Sequence, residues 1–202
     1  MTVRVALVDD HPLVLEGLQR ALELAADLEV AGTATTLADG AALLARSDVD
    51  VAVVDLRLPG GLGTNLIAAA TARGRPATIV LSSFDHATYV AAAVRLGAAG
   101  FLLKTTPTEQ VLAAIRTVAA GGTAYSAAQL GQARQPAIEL SERERAIVER
   151  LIASRSNDEI ATDLGLASKT IEKHLGRMFD RFGAMSRTEL AMRAEREGWL
   201  DL

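Results

Sequence analysis

The sequence predicts a doubly wound α/β domain with a five-stranded parallel sheet, followed by a small all-α domain of four short helices. Three observations carry this. Between residues 3 and 120, short β-branched apolar runs alternate with alanine-rich helical stretches; two of those runs are apolar on consecutive residues; and from 139 onward the strand pattern stops while helix caps multiply. Strands covered by helices on both faces read as continuous apolar runs, and regular strand–helix alternation points to α/β layering.

Taken in order, residues 3–8 (VRVALV) form the first strand and end in two adjacent carboxylates, Asp9 and Asp10, before a helix pattern over about 12–26. The second strand, 29–34 (EVAGTA), precedes a helix over 37–47. The third, 51–54 (VAVV), ends at Asp55 and precedes a helix over 63–73. The fourth, 78–81 (TIVL), ends at Ser82 and Ser83 before a helix over 86–97. The fifth, 100–103 (GFLL), ends at Lys104. Thr106-Pro107-Thr108-Glu109 then offers an N-cap threonine, proline at the first helical position and a capping-box glutamate for a helix over 107–120.

Gly121-Gly122 closes that domain, taken as residues 1–121, and the small, polar stretch 122–138 reads as a linker carrying a short helix. In 139–202, the pairs Ser141…Glu144, Ser156…Glu159 and Ser186…Glu189 have capping-box spacing, and a fourth helix starts at Ser168.

Composition excludes several chemistries. The chain has 202 residues, 50% hydrophobic and 23% charged, enough for two unequal domains with separate cores. It has no cysteine, which removes disulfides, thiolate nucleophiles and cysteine-ligated zinc. His11, His86 and His174 show no metal-ligand spacing; His11 and His86 read as loop or helix-start residues. No apolar run approaches the roughly 20 residues of a membrane helix. The N-terminus lacks signal-peptide features, so a cytoplasmic protein without membrane association is expected. A net charge of −4 argues against an indiscriminately basic coat.

In a parallel sheet of order 2-1-3-4-5, ligands bind where the carboxyl ends of strands 1 and 3 splay apart. That edge holds Asp9, Asp10 and Asp55, whose repulsion calls for a cation. Mg²⁺ fits because it accepts one or two carboxylates, carbonyls, waters and a phosphate oxygen. Ser82 and Lys104, at the ends of strands 4 and 5, are placed to approach a tetrahedral anion held at Asp55. Neither G-x-G-x-x-G after the first strand nor a G-x-x-x-x-G-K-[ST] loop is present.

Residues 1–120 resemble the receiver domain of bacterial two-component response regulators, with VDDHP, VVDLRLPG, VLSS and GFLLK in order at matching strand ends. The resemblance implies a flavodoxin-like fold in which Asp55 accepts a phosphoryl group from a sensor histidine kinase. Asp10 and Asp55 would bind Mg²⁺ directly and Asp9 through water, with the Arg57 backbone carbonyl completing the protein ligands. Lys104 would pair with the phosphate. Ser82 would move to bond it, and Phe101 would follow inward as the aromatic switch. Such a protein is no enzyme beyond self-phosphorylation from small donors and its own dephosphorylation. A Mg²⁺-dependent phosphohydrolase would want a second acid two residues after the nucleophile, where this chain has Arg57.

In the second domain, EIATDLGLASKTI reads as a helix, a turn around Gly165 and a second helix. Ile160, Leu164, Leu166, Ile171, Leu175, Met178 and Phe182 form its packing face. Lys169, Lys173 and Arg177 recur every four residues as a basic stripe beside Glu172, Gly176 and Asp180. LSERERAIVERLIASRSNDEIATDLGLASKTIEKHLGRMFDRFG resembles the LuxR-type helix-turn-helix, which with a receiver makes the NarL/FixJ arrangement. The resemblance implies a homodimer on activation that reads two half-sites of double-stranded promoter DNA, with the helix at 168–182 in the major groove and the last helix, 186–197, at the dimer contact. Lys169, Thr170, Glu172, Lys173 and Arg177 are the DNA-facing candidates. Many relatives carry lysine in place of Glu172; a glutamate there accepts from cytosine N4 or orients its lysine neighbours. Residues 139–202 carry a net charge of −2 and 168–182 a net +2, so a narrow basic surface, modest affinity and a shallow salt slope are expected.

Overall fold

The computed structural model describes residues 2–84, 86–133 and 139–200, and the chain divides into two compact units, Met1–Gln135 and Pro136–Leu202. In the first, β1 (Val3–Val8), α1 (Pro12–Glu23), β2 (Leu28–Ala34), α2 (Leu37–Leu44) and β3 (Val51–Asp55) are followed by a small hairpin, β4 (Arg57–Leu58) and β5 (Gly61–Leu62). Then come α3 (Thr64–Arg73), β6 (Ala77–Ser82), α4 (Ala87–Arg95), β7 (Gly100–Leu103), α5 (Thr108–Ala119) and α6 (Ala127–Ala133). The main sheet is parallel, in the order β2-β1-β3-β6-β7, which is the expected 2-1-3-4-5 arrangement.

The consecutive apolar residues are explained by burial on both faces. Val5, Leu7, Val51, Val53, Ile79 and Leu81 pack on Leu15, Leu18 and Leu22 of α1 and Val111, Ile115 and Val118 of α5. The alternate residues Ala6, Val8, Ala52 and Val54 pack on Leu43, Leu44, Leu66 and Ala70 of α2 and α3. Val80 and Phe101 continue that face against Ile67, Tyr89, Val90 and Ala93. Each large side chain so buried contributes about 1.5–3 kcal/mol.

Three local features differ from expectation. The hairpin β4–β5 has two-residue strands, too short for a periodicity signal. Pro107, with φ −54° and ψ 137°, is itself the N-cap of α5, so the helix starts at Thr108 and Thr106 instead donates its amide to the Leu103 carbonyl. Residues 122–133, expected within the linker, lie in the first unit. Ala124 forms a parallel bridge beside Gly100, its amide donating to the Ala99 carbonyl at 2.7 Å and its carbonyl accepting from the Phe101 amide at 3.0 Å. The Tyr125 hydroxyl donates to the Ala98 carbonyl at 2.8 Å, and Gln129 Nε2 donates to the Phe101 carbonyl at 3.2 Å. This covers the otherwise unpaired edge of β7. The remaining expected linker, 134–138, lies outside the described residues.

The second unit has α7 (Glu142–Ile152), α8 (Asn157–Leu164), α9 (Ser168–Phe182) and α10 (Arg187–Arg196). Ser141–Glu144 and Ser156–Glu159 form reciprocal capping boxes. The third is half-formed: Ser186 accepts from the Glu189 amide, but the Glu189 carboxylate reaches the Met185 amide instead of the cap's own. Ile147, Val148, Leu151, Ile160, Ile171, Leu175, Met178, Leu190 and Trp199 make its core. Gly165, at φ +65°, ends α8 in the left-handed conformation and turns the chain into α9.

Candidate functional site

Strand register brings the acidic residues together. Leu7 and Val8 pair with Val53 and Val54, so Asp9 and Asp55 emerge side by side at the carboxyl end of the sheet. Asp9, Asp10, His11 and Asp55 each offer a ligand atom, and those atoms lie within 4.8 Å of one another. Lys104 enters from the end of β7, its amide bonded to the Ser82 carbonyl at 2.7 Å. Its Nζ lies 2.7 Å from Asp55 Oδ2 and 2.8 Å from Asp9 Oδ2.

One ammonium thus serves two carboxylates that are almost wholly buried, at 3% and 6% exposure for Asp9 and Asp55. Burial pushes the Asp55 carboxyl above its ordinary range, against the opposing pull of Lys104. For Lys104 itself, burial pulls downward, but the bonds to Asp55 and Asp9 prevail and hold its pKa above the usual value. Three carboxylates against one lysine leave excess negative charge. Asp9 Oδ2 is met by the Lys104 ammonium and Asp10 Oδ1 by the His11 ring, and among the described residues no backbone amide donates to either. An oxygen-rich, anionic pocket whose clustered carboxylates outnumber its lysine fits a hard divalent cation such as Mg²⁺.

His11, read from sequence as a helix-start residue, is the N-cap of α1, and its ring also joins the cluster. Nδ1 is 2.7 Å from Asp10 Oδ1, 3.1 Å from Asp9 Oδ1 and 3.2 Å from Lys104 Nζ. Nothing in VDDHP distinguishes a capping histidine from one whose ring meets a lysine 93 residues away. Gly63 is a second residue that sequence reading passed over. A Cβ there would sit 1.9 Å from the Asp55 carbonyl oxygen, so only glycine lets the chain return from the β4–β5 hairpin against the acceptor strand.

The Arg57 amide makes a long 3.4 Å bond to Asp55 Oδ1, and its guanidinium donates to the Tyr89 hydroxyl of α4 at 3.1 Å. Ser82 is buried, and its Oγ accepts from the Phe84 amide at 3.1 Å. Its own O–H remains a donor. Phe101, expected to move inward as a switch, is already 1% exposed in the core beside Tyr89 and Val90.

On α9, Ile171, Leu175 and Met178 face the core. Lys169, Glu172, Lys173 and Arg177 are exposed, and Thr170 is half-buried. Arg181, the fourth basic residue of this helix, is occupied. It pairs with Glu144 at 3.1 Å and donates to the Glu139 carbonyl at 2.6 Å. Burial acts to raise the pKa of Glu144, but the Ser141 cap and Arg181 together hold it below the ordinary glutamate value. Ser168 donates to Asp158, which ties the start of α9 to α8.

Among the described residues, no helix is long and apolar enough to cross a membrane. The response regulator receiver domain model matches residues 5–116, and the model for bacterial regulatory proteins of the luxR family matches residues 139–194. The transcriptional regulatory protein MctR of Rhizobium johnstonii is 37% identical over 187 residues, covering 90% of this chain and 87% of that protein. The probable transcriptional regulatory protein NarL of Mycobacterium tuberculosis is 34% identical over 208 residues, covering 98% and 96%. The crystal structure of the response regulator ChrA, of a heme-sensing two-component system, superposes with a TM-score of 0.60 at 29% identity, covering 98% of each chain.

Proposed function

The chain belongs to the bacterial two-component response regulators that join a receiver domain to a luxR-type helix-turn-helix domain, and we propose that phosphorylation of Asp55 controls its binding to DNA. The observation that carries this reading is the convergence of Asp9, Asp10, Asp55 and Lys104 at the carboxyl ends of three strands.

A carboxylate oxygen of Asp55 attacks the phosphorus of a phosphohistidine on a sensor kinase. The P–N bond breaks, the imidazole leaves with its electron pair, and an acyl phosphate forms. Asp10, Asp55 and the Arg57 carbonyl would hold Mg²⁺ directly, with Asp9 bound through water. A cation held there would supply charge neutralisation for the transferring phosphoryl group. Lys104 then moves its attraction from the carboxylate to a phosphate oxygen. Ser82 turns its O–H toward another, and the already buried Phe101 repacks behind it, its carbonyl carrying the Gln129 bond. The outcome is a homodimer that places two copies of α9 in successive major grooves, with Lys169, Thr170, Glu172, Lys173 and Arg177 toward DNA and transcription as the regulated output.

Incubation with acetyl phosphate and Mg²⁺ tests the chemistry. The wild-type chain gains one phosphoryl group by mass and Asp55→Asn gains none; a labelled Asp55→Asn variant would falsify the assignment. Footprinting with and without the phosphodonor tests the output, where unchanged occupancy would reject phosphorylation control.

A further inference from the structure

On the reading that α9 enters DNA, we propose that Gly176 and Glu172 form a specificity notch. The absent side chain at 176 lets the α9 backbone approach the base edges closely, and Glu172 beside it accepts a hydrogen bond from the N4 amine of a cytosine.

The first observation concerns Gly176. A Cβ added there would meet nothing within 4 Å, and the residue lies inside a regular 15-residue helix. Nothing among the described residues requires glycine there, and in a helix interior only proline is less stable. Gly165 and Gly183, by contrast, end helices at φ +65° and are needed there. Gly17 and Gly131 also face open space, but no basic stripe surrounds them.

The second observation concerns charge. Elsewhere in this unit charged side chains are largely paired: Arg150 with Asp163, Arg155 with Glu159, Arg181 with Glu144 and Arg193 with Glu197. Lys169, Glu172, Lys173 and Arg177 make no hydrogen bond or ion pair among the described residues. Lys169 and Lys173, and Lys173 and Arg177, are like charges four apart, which repel on a helix face. At 3.6 residues per turn, these four residues and Gly176 share an arc of roughly 140°. This face therefore weakens its own helix by glycine and by two like-charge pairs, eased by Lys169 and Glu172 three residues apart, and makes no hydrogen bond or ion pair among the described residues in return. A partner outside the protein accounts for both.

That partner is DNA, and the base follows from the chemistry of Glu172. The three cations suit phosphates, but a carboxylate is repelled by them. In the major groove its natural donor is the cytosine N4 amine. Glu172 and Gly176 stand one turn apart on the same side, so a bulky residue at 176 would hold the helix off the bases that Glu172 must reach.

The test selects duplexes from a random-sequence pool with the phosphorylated full-length wild-type chain, then measures Gly176→Ala, Gly176→Leu and Glu172→Gln on the selected duplex. Gly176→Ala should raise the unfolding temperature yet weaken binding roughly tenfold, and Gly176→Leu should weaken it further. Glu172→Gln should keep the fold but lose roughly tenfold discrimination at a selected cytosine. If Gly176→Ala is stabilised and binds as tightly as wild type, or Glu172→Gln selects the same sequence, the notch is refuted. A wild-type chain that selects no duplex overturns the DNA-binding function itself, and the notch with it.

Discussion

Replacing Lys104 with methionine keeps most of the side-chain volume and removes only the charge that reconciles Asp9 with Asp55. With an effective dielectric constant of about 20, the ion pairs at 2.7 and 2.8 Å are each worth about 6 kcal/mol before desolvation. The two carboxylates, within 4.8 Å of each other, repel by at least ~3.5 kcal/mol on the same scale. Desolvation of the lysine offsets part of this, and removing one partner from a buried pair typically costs about 3–5 kcal/mol. At about 4 °C per kcal/mol, the first unit of Lys104→Met should unfold ~12–20 °C below wild type in EDTA at neutral pH. The sign of the pH dependence follows from Asp55. Its folded pKa is raised above 3.8, so its ionisation destabilises the fold at neutral pH, and the deficit shrinks as pH falls toward that raised value. Mg²⁺ should raise the variant's unfolding temperature more than the wild type's, because it replaces the missing positive charge. Calorimetry in EDTA and in Mg²⁺ decides. A variant that unfolds within about 2 °C of wild type, or that responds equally to Mg²⁺, would sink this account.

Gly100→Ala would place a Cβ 2.8 Å from the Ala124 Cβ and 3.0 Å from its carbonyl oxygen, so residues 123–133 should exchange their amide hydrogens faster while Asp55 labelling persists. Burial pushes the Tyr125 hydroxyl up to about 12, so stability should fall as pH rises from 10.0 toward that value. A near-ultraviolet tyrosinate titration reads this directly, and Tyr125→Phe should remove this residue's share of the alkaline loss at a cost of about 1 kcal/mol from the lost Ala98 bond. Ser141→Ala removes the α7 cap and half of its box, and should cost about 1 kcal/mol in the urea unfolding of the helical unit.

The parts of this molecule legible in the sequence are those with a local periodic signature or a fixed place on a known topology. VAVV and TIVL announce a sheet covered on both faces, and once the strands are ordered, Asp9, Asp55, Ser82 and Lys104 fall at one edge without further information. What escaped depends on contacts between distant residues. Gly63 matters because of one carbonyl oxygen on the neighbouring strand. His11 meets Lys104 across the sheet edge. The stretch around Tyr125 has the small, polar composition of a linker, yet it docks through main-chain groups at Ala99, Phe101 and Ala124, which any sequence carries. Thr106 failed as a cap because Pro107 is extended, and so holds the cap position itself.

The two units depart from internal optimality in opposite ways, and each departure marks where something external completes the protein. In the receiver unit, three clustered carboxylates share one lysine, more negative charge than that lysine neutralises. Removing negative charge there should stabilise the metal-free protein while destroying its chemistry. On α9, charge is left exposed and, among the described residues, unpaired around a glycine that meets nothing within 4 Å. Filling that gap should stabilise the helix while impairing recognition. On the proposed function, a substitution that improves the isolated chain and harms its activity has the same physical reading at both places: the stability forgone belongs to a bound state, with a cation and phosphoryl group in one unit and a DNA groove in the other.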